Sequence, residues 1–111
     1  MEVTERRVDG TTTLRVAGRV DSSVSKLLEQ KVLDVASYDE PIVVDLRDMD
    51  YVSSAGLRSF ILLAKHARSK GRKIALCGMR DEVTEIFEIS GLLELFVVYD
   101  SVEAAIAARP Q

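Results

Sequence analysis

The centre of the chain reads Asp50-Tyr51-Val52-Ser53-Ser54-Ala55-Gly56-Leu57-Arg58-Ser59-Phe60. Before it lies Ile42–Leu46, a short apolar run rich in β-branched residues, which is typical of a buried strand. After it, apolar residues recur at helical spacing, which predicts a helix over residues 54–70 with Gly71 at its C-terminal end. Two serines therefore lie where a helix begins. Such a terminus presents unpaired backbone N–H groups and the positive end of the helix dipole, which favour phosphate.

Ser53 and Ser54 allow three interpretations. Either serine can cap the helix by accepting a hydrogen bond from a backbone N–H group two or three residues on, and spacing alone favours this interpretation. The others are a phosphoryl acceptor and a catalytic nucleophile. A nucleophile needs a general base within hydrogen-bond reach, but the only histidine, His66, lies about three turns further along the same helix, roughly 18 Å from Ser54. The sequence therefore argues against serine–histidine catalysis.

The composition is that of an ordinary globular domain. The chain has 111 residues, of which 47% are hydrophobic and 30% charged, and its apolar runs are too short for a membrane span or a signal peptide. We therefore expect one domain over residues 1–111, located in the cytoplasm. The single cysteine, Cys77, excludes an internal disulfide and is predicted to pack in the core, because it follows an apolar strand pattern.

Charge is distributed unevenly along a chain whose net charge is −3. Residues 57–74 include six basic residues and no acidic one, whereas residues 81–103 include seven acidic residues and no basic one. Solvated helix faces explain both runs better than a nucleic-acid stripe does, since aromatic residues for base stacking make up only 5% of the chain. Nucleic acid is therefore not expected as a partner.

The N-terminal half before the central strand predicts a hairpin and a helix. Asp9-Gly10 is a two-residue turn signal between strand candidates at residues 3–8 and 11–20. Asp21 or Ser22 is expected to cap an amphipathic helix. The apolar stripe of that helix comprises Val24, Leu27, Leu28, Val32, Val35 and Ala36.

The C-terminal part predicts two further strands and two further helices. They are a strand over residues 73–78, a helix over residues 81–90, a strand over residues 96–99, and a terminal helix that Ser101 caps, followed by a fraying tail over residues 108–111. A right-handed crossover makes strands 42–46 and 73–78 parallel in one sheet. The order of elements predicts an α/β fold with a mixed β-sheet that an N-terminal hairpin opens, and about four helices.

No pattern in the sequence predicts a cofactor site. Neither GxGxxG nor GxxxxGK[ST] occurs. Asp45, Asp48 and Asp50 precede the serines and are candidate Mg²⁺ ligands, but acidic residues are common in strand–helix loops, so a structural role is favoured. We expect no metal, no cofactor and no catalytic role for Cys77 or His66, and the chain is not expected to be an enzyme.

Four motifs in order resemble the STAS-domain family, the bacterial anti-sigma factor antagonists. They are Gly18–Asp21, Val44–Leu46, Tyr51–Arg58, and Ile89–Leu92 followed by Phe96, and they span nearly the whole chain. The resemblance implies a single STAS domain that acts as a switch. In this family, the unphosphorylated antagonist binds an anti-sigma factor serine/threonine kinase and frees the sigma factor. The kinase uses ATP to phosphorylate a serine at the N-terminus of the central helix, and a serine phosphatase reverses the modification.

The resemblance also assigns the site by position. Many members carry Asp-Ser-Ser-Gly or Asp-Ser-Thr-Gly, whereas this chain has serine in place of the aspartate and Ala55 next to Gly56. Only Ser54 keeps a hydroxyl at a matching acceptor position, so the resemblance implies phosphorylation of Ser54, with Ser53 as the alternative. Asp21 is expected to engage the kinase, and Gly56 and Leu57 to admit and anchor the partner. The complete predicted partner-binding set is Asp21, Ser53, Ser54, Gly56, Leu57 and Arg58.

Three alternatives to the switch remain open at this point. If the family acceptor must immediately precede the glycine, Ala55 makes the chain a constitutive STAS interaction module. A STAS subunit that docks permanently on a lipid-transport ATPase would use the same surface. A small α/β enzyme is disfavoured by the missing base and phosphate loop. The expected partners are thus the kinase and the phosphatase, without membrane insertion, and the chain is expected to be a monomer or weak dimer.

Overall fold

Strands and helices alternate along most of the chain in this computed structural model, which describes residues 1–108. No helix in that range is long and apolar enough to cross a membrane. The elements in chain order are β1 (Glu2–Val8), β2 (Thr11–Val20), α1 (Ser25–Ala36), β3 (Ile42–Asp45), β4 (Met49–Val52), α2 (Ser54–Ser69), β5 (Ile74–Cys77), α3 (Asp81–Ile89), a 3₁₀ helix (Leu92–Leu95), β6 (Phe96–Tyr99) and α4 (Val102–Ala108).

The long strand β2 connects the parts of the sheet. It pairs antiparallel with β1 across the Asp9-Gly10 turn, where both residues have positive φ, as a tight hairpin turn requires. Its first half pairs parallel with β3, and its second half pairs parallel with β4. The strand order is β1-β2-β3-β5-β6, with β3 and β5 parallel at the centre. The predicted mixed sheet, hairpin and parallel central pair are confirmed.

The central strands are buried on both faces, which explains their continuous apolar sequences. In β3, Ile42 and Val44 face the larger core, where α1, α2 and α3 pack, while Val43 faces a smaller core under α4. In β5 the same alternation sends Leu76 to the larger core and Cys77 to the smaller one. The sheet is thus covered by three helices on one face and by one on the other.

The helix α2 is the principal helix of the larger core. It buries Leu57, Phe60, Leu63, Ala64 and Ala67, at the spacing that predicted it. The helix stops where Gly71 adopts φ +72°, its N–H donating to Arg68 O at 2.9 Å, and Arg72 N–H donates to Ala67 O at 2.9 Å. These two bonds form a Schellman motif, so Gly71 ends the helix as predicted.

The strand β4 is a difference from the sequence prediction, which placed residues 47–53 in a loop. Met49 and Val52 are buried while Asp50 and Tyr51 between them are exposed. This pattern does not alternate, so periodicity gave no strand signal. The strand forms because β2 is long enough to offer free backbone groups beyond β3, and it brings Val52 beside Val20.

Three smaller expectations are also wrong. Helix α1 begins at Ser25 after Val24, without a side-chain cap, so neither Asp21 nor Ser22 caps it. Leu27 of its predicted apolar stripe is 62% exposed. Ala108 belongs to α4, whose first turn Ser101 caps as predicted, with Ala104 N–H donating to Ser101 Oγ at 3.1 Å. The rest of the predicted fraying tail, residues 109–111, lies outside the described residues.

Candidate functional site

The passage from β4 into α2 fixes Ser53 as the helix cap. Ser53 continues the β4 pairing, because its N–H donates to Val20 O at 2.8 Å. Its backbone remains extended, at φ −86° and ψ 171°, and its Oγ accepts a hydrogen bond from Gly56 N–H at 3.2 Å. Its carbonyl oxygen accepts from Leu57 N–H at 2.9 Å. The capping interpretation is therefore correct for Ser53.

Ser54 lies in a different environment from its neighbour. It is exposed at the first position of α2, and within residues 1–108 its Oγ makes no hydrogen bond. The first turn of α2 carries no acidic residue. A hydroxyl group therefore projects from the positive end of a helix dipole without an engaged partner. Among the two serines, Ser54 has the hydroxyl that another protein can reach without removing the cap.

Gly56 and Leu57 are placed in the interior, not on the surface. A Cβ atom on Gly56 would lie 2.8 Å from Val20 Cγ1 and 2.9 Å from Val52 Cγ2, which is closer than carbon atoms pack. Leu57 is 9% exposed and belongs to the larger core. The structure thus places both residues in the interior, and the role expected of them in admitting and anchoring a partner stays a prediction. Gly56 allows α2 to begin directly against β2 and β4.

Asp21 lies beside the start of α2, because it follows Val20, the last residue of β2 paired with β4. Its Oδ1 accepts hydrogen bonds from Ser23 Oγ at 2.5 Å and from Ser23 N–H at 3.0 Å. These bonds, with a smaller contribution from Arg19, hold the pKa of the Asp21 carboxyl below its ordinary value. The carboxylate is thus ionised and fixed by its own turn rather than by the helix N–H groups.

Arg19 and Tyr51 form a contact that the sequence interpretation missed. The Arg19 guanidinium carbon lies 4.0 Å from the centre of the Tyr51 ring, and its Nε lies 3.6 Å from Asp21 Oδ2. The two residues are cross-strand neighbours on β2 and β4. This contact could have been inferred from the sequence only if strand β4 had been predicted. The exposed surface at this end of the molecule therefore includes an aromatic ring under a cation.

Two other exposed side chains extend this surface. Arg58 is exposed and follows Ser54 by four residues, so the two share one face of α2. The start of α1 lies beside the same helix, since Ser59 Oγ donates to Ser25 O at 3.4 Å. That end of α1 exposes Leu27, which sequence reasoning had placed in the core. An apolar side chain that a domain leaves exposed beside polar neighbours is a common feature of binding surfaces.

The acidic residues before the serines do not converge. Asp45 is buried and accepts from Arg47 N–H at 3.0 Å, while Asp48 pairs with Arg15 at 2.8 Å. The guanidinium of Arg15 holds the pKa of the Asp48 carboxyl below its ordinary value. Asp50 is exposed on β4. Within residues 1–108, no three His, Cys, Asp or Glu side chains lie close enough together to hold a metal ion.

Cys77 and His66 lie away from the serines. Cys77 is fully buried, and burial, with a smaller contribution from Asp45, raises the pKa of its thiol to about 12. It packs in the smaller core as predicted, its Sγ 3.5 Å from Val44 O. His66 is exposed in the last turns of α2. The thiol is therefore protonated at neutral pH and shielded from reagents.

Fold and site together define a class of protein: a small α/β domain that presents an exposed serine at a helix N-terminus beside an ionised carboxylate. The chain belongs to the STAS domain family, whose model matches residues 2–105. It is 39% identical over 109 residues to BtrV of Bordetella bronchiseptica, a candidate anti-sigma factor antagonist, covering 97% of this chain and 94% of that protein. It is 30% identical to an anti-sigma-B factor antagonist of Listeria monocytogenes, and the match covers 88% of this chain and 86% of that protein.

Solved structures confirm the fold. The anti-sigma factor antagonist SpoIIAA in its unphosphorylated form matches with a TM-score of 0.74 at 13% identity, over 97% of this chain and 96% of that one. SpoIIAA from Bacillus in its phosphorylated form matches with the same TM-score of 0.74 at 15% identity, over 97% of this chain and 100% of that one. The predicted STAS-like α/β fold with a mixed sheet and about four helices is confirmed, and the described residues form six strands, one more than predicted, and four helices.

Proposed function

We propose that this chain is a phosphorylation-switched anti-sigma factor antagonist that resides in the cytoplasm and works by binding, without catalysis of its own. Its unphosphorylated form binds an anti-sigma factor serine/threonine kinase and thereby releases the sigma factor. The kinase phosphorylates Ser54, and a serine phosphatase restores the binding form. The observation that carries the proposal is the exposed, unengaged hydroxyl of Ser54 at the first position of α2, next to a cap that Ser53 supplies.

Helix electrostatics support a switch that leaves the fold intact. A phosphoserine carries about −1.5 to −2 charges at neutral pH. The α2 dipole favours negative charge at this end by about 0.3–1 kcal/mol, and the first turn holds no acidic side chain that would repel it. That SpoIIAA has been solved in both states, each matching this chain equally well in fold, supports the same expectation. Phosphorylation therefore changes the surface rather than the domain.

This change of the surface would strongly reduce the affinity of a partner that docks on it. The proposed contact surface consists of exposed groups around Ser54, with Gly56 and Leu57 supporting α2 from the core. A partner covering it would have to desolvate the phosphate, which costs affinity unless new pairs form. A hundredfold loss of affinity requires only about 2.7 kcal/mol. The proposed surface comprises the half-buried Asp21 and the exposed residues Arg19, Leu27, Tyr51, Ser54 and Arg58.

Binding of the kinase to three forms of the chain tests the proposal. We expect the unmodified chain and Ser54→Ala to bind the cognate kinase with similar affinity, because the hydroxyl makes no hydrogen bond to any residue that the structure describes. Phosphorylated chain should bind about a hundredfold more weakly. Ser54→Asp should lie between them, because a carboxylate carries less charge and fewer oxygens than a phosphate. Calorimetric titration measures all three affinities. Equal binding of phosphorylated and unmodified chain would contradict the switch.

Ala55, next to Gly56, favours one alternative, a constitutive interaction module in which no serine is modified. Such a module would bind its partner without ATP-dependent release. Adding ATP to the complex distinguishes the two roles, since the switch predicts that the kinase releases the chain over time. A stable complex in the presence of ATP, with no phosphate incorporated, would favour the constitutive module or permanent docking on a lipid-transport ATPase.

A further inference from the structure

A basic groove lies at the opposite end of α2 from Ser54. Its volume is about 370 Å³, and it runs between the last turns of α2 and the 3₁₀ helix. Lys65, its first cation along the chain, follows Ser54 by about three helical turns, or roughly 16 Å. The groove is therefore separate from the proposed switch. Its lining residues are Ala64, Lys65, Arg68, Arg72, Lys73, Glu94 and Leu95.

The four cations of this groove have no ionic partner within residues 1–108. The ion pairs found within residues 1–108 involve Arg7, Arg15, Arg19, Lys31 and Arg47. Glu94 is the single carboxylate in the groove lining, and Lys73 Nζ lies 3.5 Å from its backbone oxygen rather than paired with its carboxylate. The lining thus carries a formal charge excess that the described residues do not neutralise.

Arg72 carries an unmet hydrogen-bond requirement. Its Nη1 is shielded from solvent and finds no acceptor within residues 1–108. Shielded polar nitrogens in proteins are nearly always paired, because leaving one unpaired costs the energy of its lost hydration. A rotation of the guanidinium toward an anion in the groove would supply acceptors.

The helix dipole alone does not account for this cluster. Basic residues near a helix C-terminus complement the negative end of the dipole, which explains Arg68. Arg72 completes the Schellman motif through its backbone N–H and Lys73 follows it on the path to β5, so both side chains lie past the last turn of α2. They nevertheless line the same groove. Cations from both sides of Gly71 therefore converge on one groove.

We propose that this groove binds a small multivalent oxyanion, a phosphorylated metabolite recognised through its phosphate groups. Two guanidinium groups offer the planar pairs of donors that match phosphate oxygens, and two ammonium groups add charge. The excess of four cations over one carboxylate favours a ligand with more than one negative charge. The concave shape fits a small molecule better than a flat macromolecular surface. The inference is independent of the role of Ser54.

Titration with pyrophosphate, followed by amide NMR shifts of the full chain, tests this proposal. We expect saturable shifts confined to residues 64–73 and 94–95. Sodium chloride at matched ionic strength should not reproduce them, because screening acts on all exposed charges alike. Vesicles of phosphatidylcholine with and without phosphatidic acid distinguish the source of the phosphate: vesicle binding by the acidic mixture indicates a lipid headgroup, and pyrophosphate binding alone indicates a soluble ligand.

Paired charge-removing variants identify the site. Lys65→Gln/Arg68→Gln, at two exposed positions, should weaken pyrophosphate binding by about tenfold or more, which corresponds to about 1.4 kcal/mol. Arg6→Gln/Lys26→Gln removes the same charge at exposed positions outside the groove and should leave the affinity unchanged. Thermal unfolding verifies that all variants are folded. Equal weakening in both double variants, shifts centred on the start of α2, or no saturable binding of either phosphate probe would overturn the proposal.

Discussion

Helices α2 and α3 begin on the same face of the sheet, yet their first turns differ in charge. Helix α3 opens with Asp81 and Glu82, and its cap residue, Arg80, makes no side-chain capping bond. Helix α2 is capped by the Ser53 hydroxyl, and its first turn holds no acid. Because carboxylates near a helix N-terminus complement the dipole, α3 supplies its own negative charge. Helix α2 has no such charge of its own in its first turn.

The third residue of each helix shows a second difference. Val83 in α3 is buried and fills space in the core, whereas the corresponding position in α2 is Gly56. Two valines of β2 and β4 occupy the space into which a side chain at Gly56 would extend. The N-terminus of α2 is therefore pressed against the sheet. Because the start of α2 lies so close to the sheet, the position of Ser54 on the surface is fixed. A site that another protein recognises requires such a fixed position.

Of the variants that test this comparison, Gly56→Ala should change the stability of the protein most. Alanine is favoured over glycine within helices by about 0.8–1 kcal/mol, so an open position would gain stability. At Gly56 the added methyl group meets Val20 and Val52 below 3.0 Å. Overpacking of this kind costs about 1–3 kcal/mol, and we expect a net loss of stability. Urea unfolding measures the change, with Ser54→Ala as an exposed control in the same turn. A stabilised Gly56→Ala protein would contradict the packing described.

The two serines should differ when each is replaced by alanine. Ser53→Ala removes the cap of α2 and should destabilise the protein by about 0.5–2 kcal/mol. Ser54→Ala removes a hydroxyl that makes no hydrogen bond within residues 1–108, and should change stability by less than about 0.5 kcal/mol. Thermal and urea unfolding of both variants give the comparison. A larger loss in Ser54→Ala than in Ser53→Ala would reverse the assignment of the cap.

Opposite charge changes at the two helices should have opposite effects. Ser54→Asp places a carboxylate at the start of α2 and should stabilise the protein by about 0.3–1 kcal/mol, while Glu82→Gln removes one from α3 and should destabilise it by a similar amount. Both effects should shrink in high salt because screening weakens them. Unfolding curves at low and high ionic strength measure this. Destabilisation by Ser54→Asp at low salt would show that the α2 terminus does not favour negative charge.

The smallest predicted effect on stability concerns Asp21. Its carboxylate lies beside the start of α2 but belongs to the loop after β2. Its hydrogen bonds from Ser23 lower its pKa below the ordinary value of 3.8. A lowered pKa in the folded state stabilises the protein above the unfolded value, and this contribution is lost as the pH falls through the folded value. In Ser23→Ala the carboxyl pKa should rise toward 3.8, so this contribution to stability should be smaller and its loss on acidification should be complete at a higher pH. NMR titration of the Asp21 carboxyl checks the direction, and an unchanged midpoint would exclude the Ser23 hydroxyl as a cause, since alanine keeps the backbone N–H bond.

Much of the fold was predictable because local and long-range signals agreed. The spacing of Leu57, Phe60 and Ala64 predicted α2, and Gly71 predicted its end. Strand β4 was not predictable, because it has no alternating pattern and forms only where β2 extends past β3. The Arg19–Tyr51 contact depends on that strand and was missed with it.

The site was predictable to a different degree. Spacing placed two serines at a helix start, but it could not distinguish the cap from a free hydroxyl, since that depends on the backbone angles of one residue. The resemblance to the STAS family supplied the preference for Ser54. It also suggested surface roles for Gly56 and Leu57, which are buried because the helix begins directly on two strands. Burial of a helix start depends on tertiary packing rather than on a local sequence signal.

Mass spectrometry of the chain after incubation with its cognate anti-sigma factor kinase and ATP tests the central claim most directly. We predict one phosphoryl group on Ser54 in the unmodified chain and in Ser53→Ala. Ser54→Ala should remain folded, bind the kinase and incorporate no phosphate. The exposed hydroxyl of Ser54, next to the engaged hydroxyl of Ser53, is the physical reason for this selectivity. Phosphate on Ser53 or Ser59 with Ser54 unmodified, or no phosphate under conditions in which the kinase binds the chain, would contradict the account.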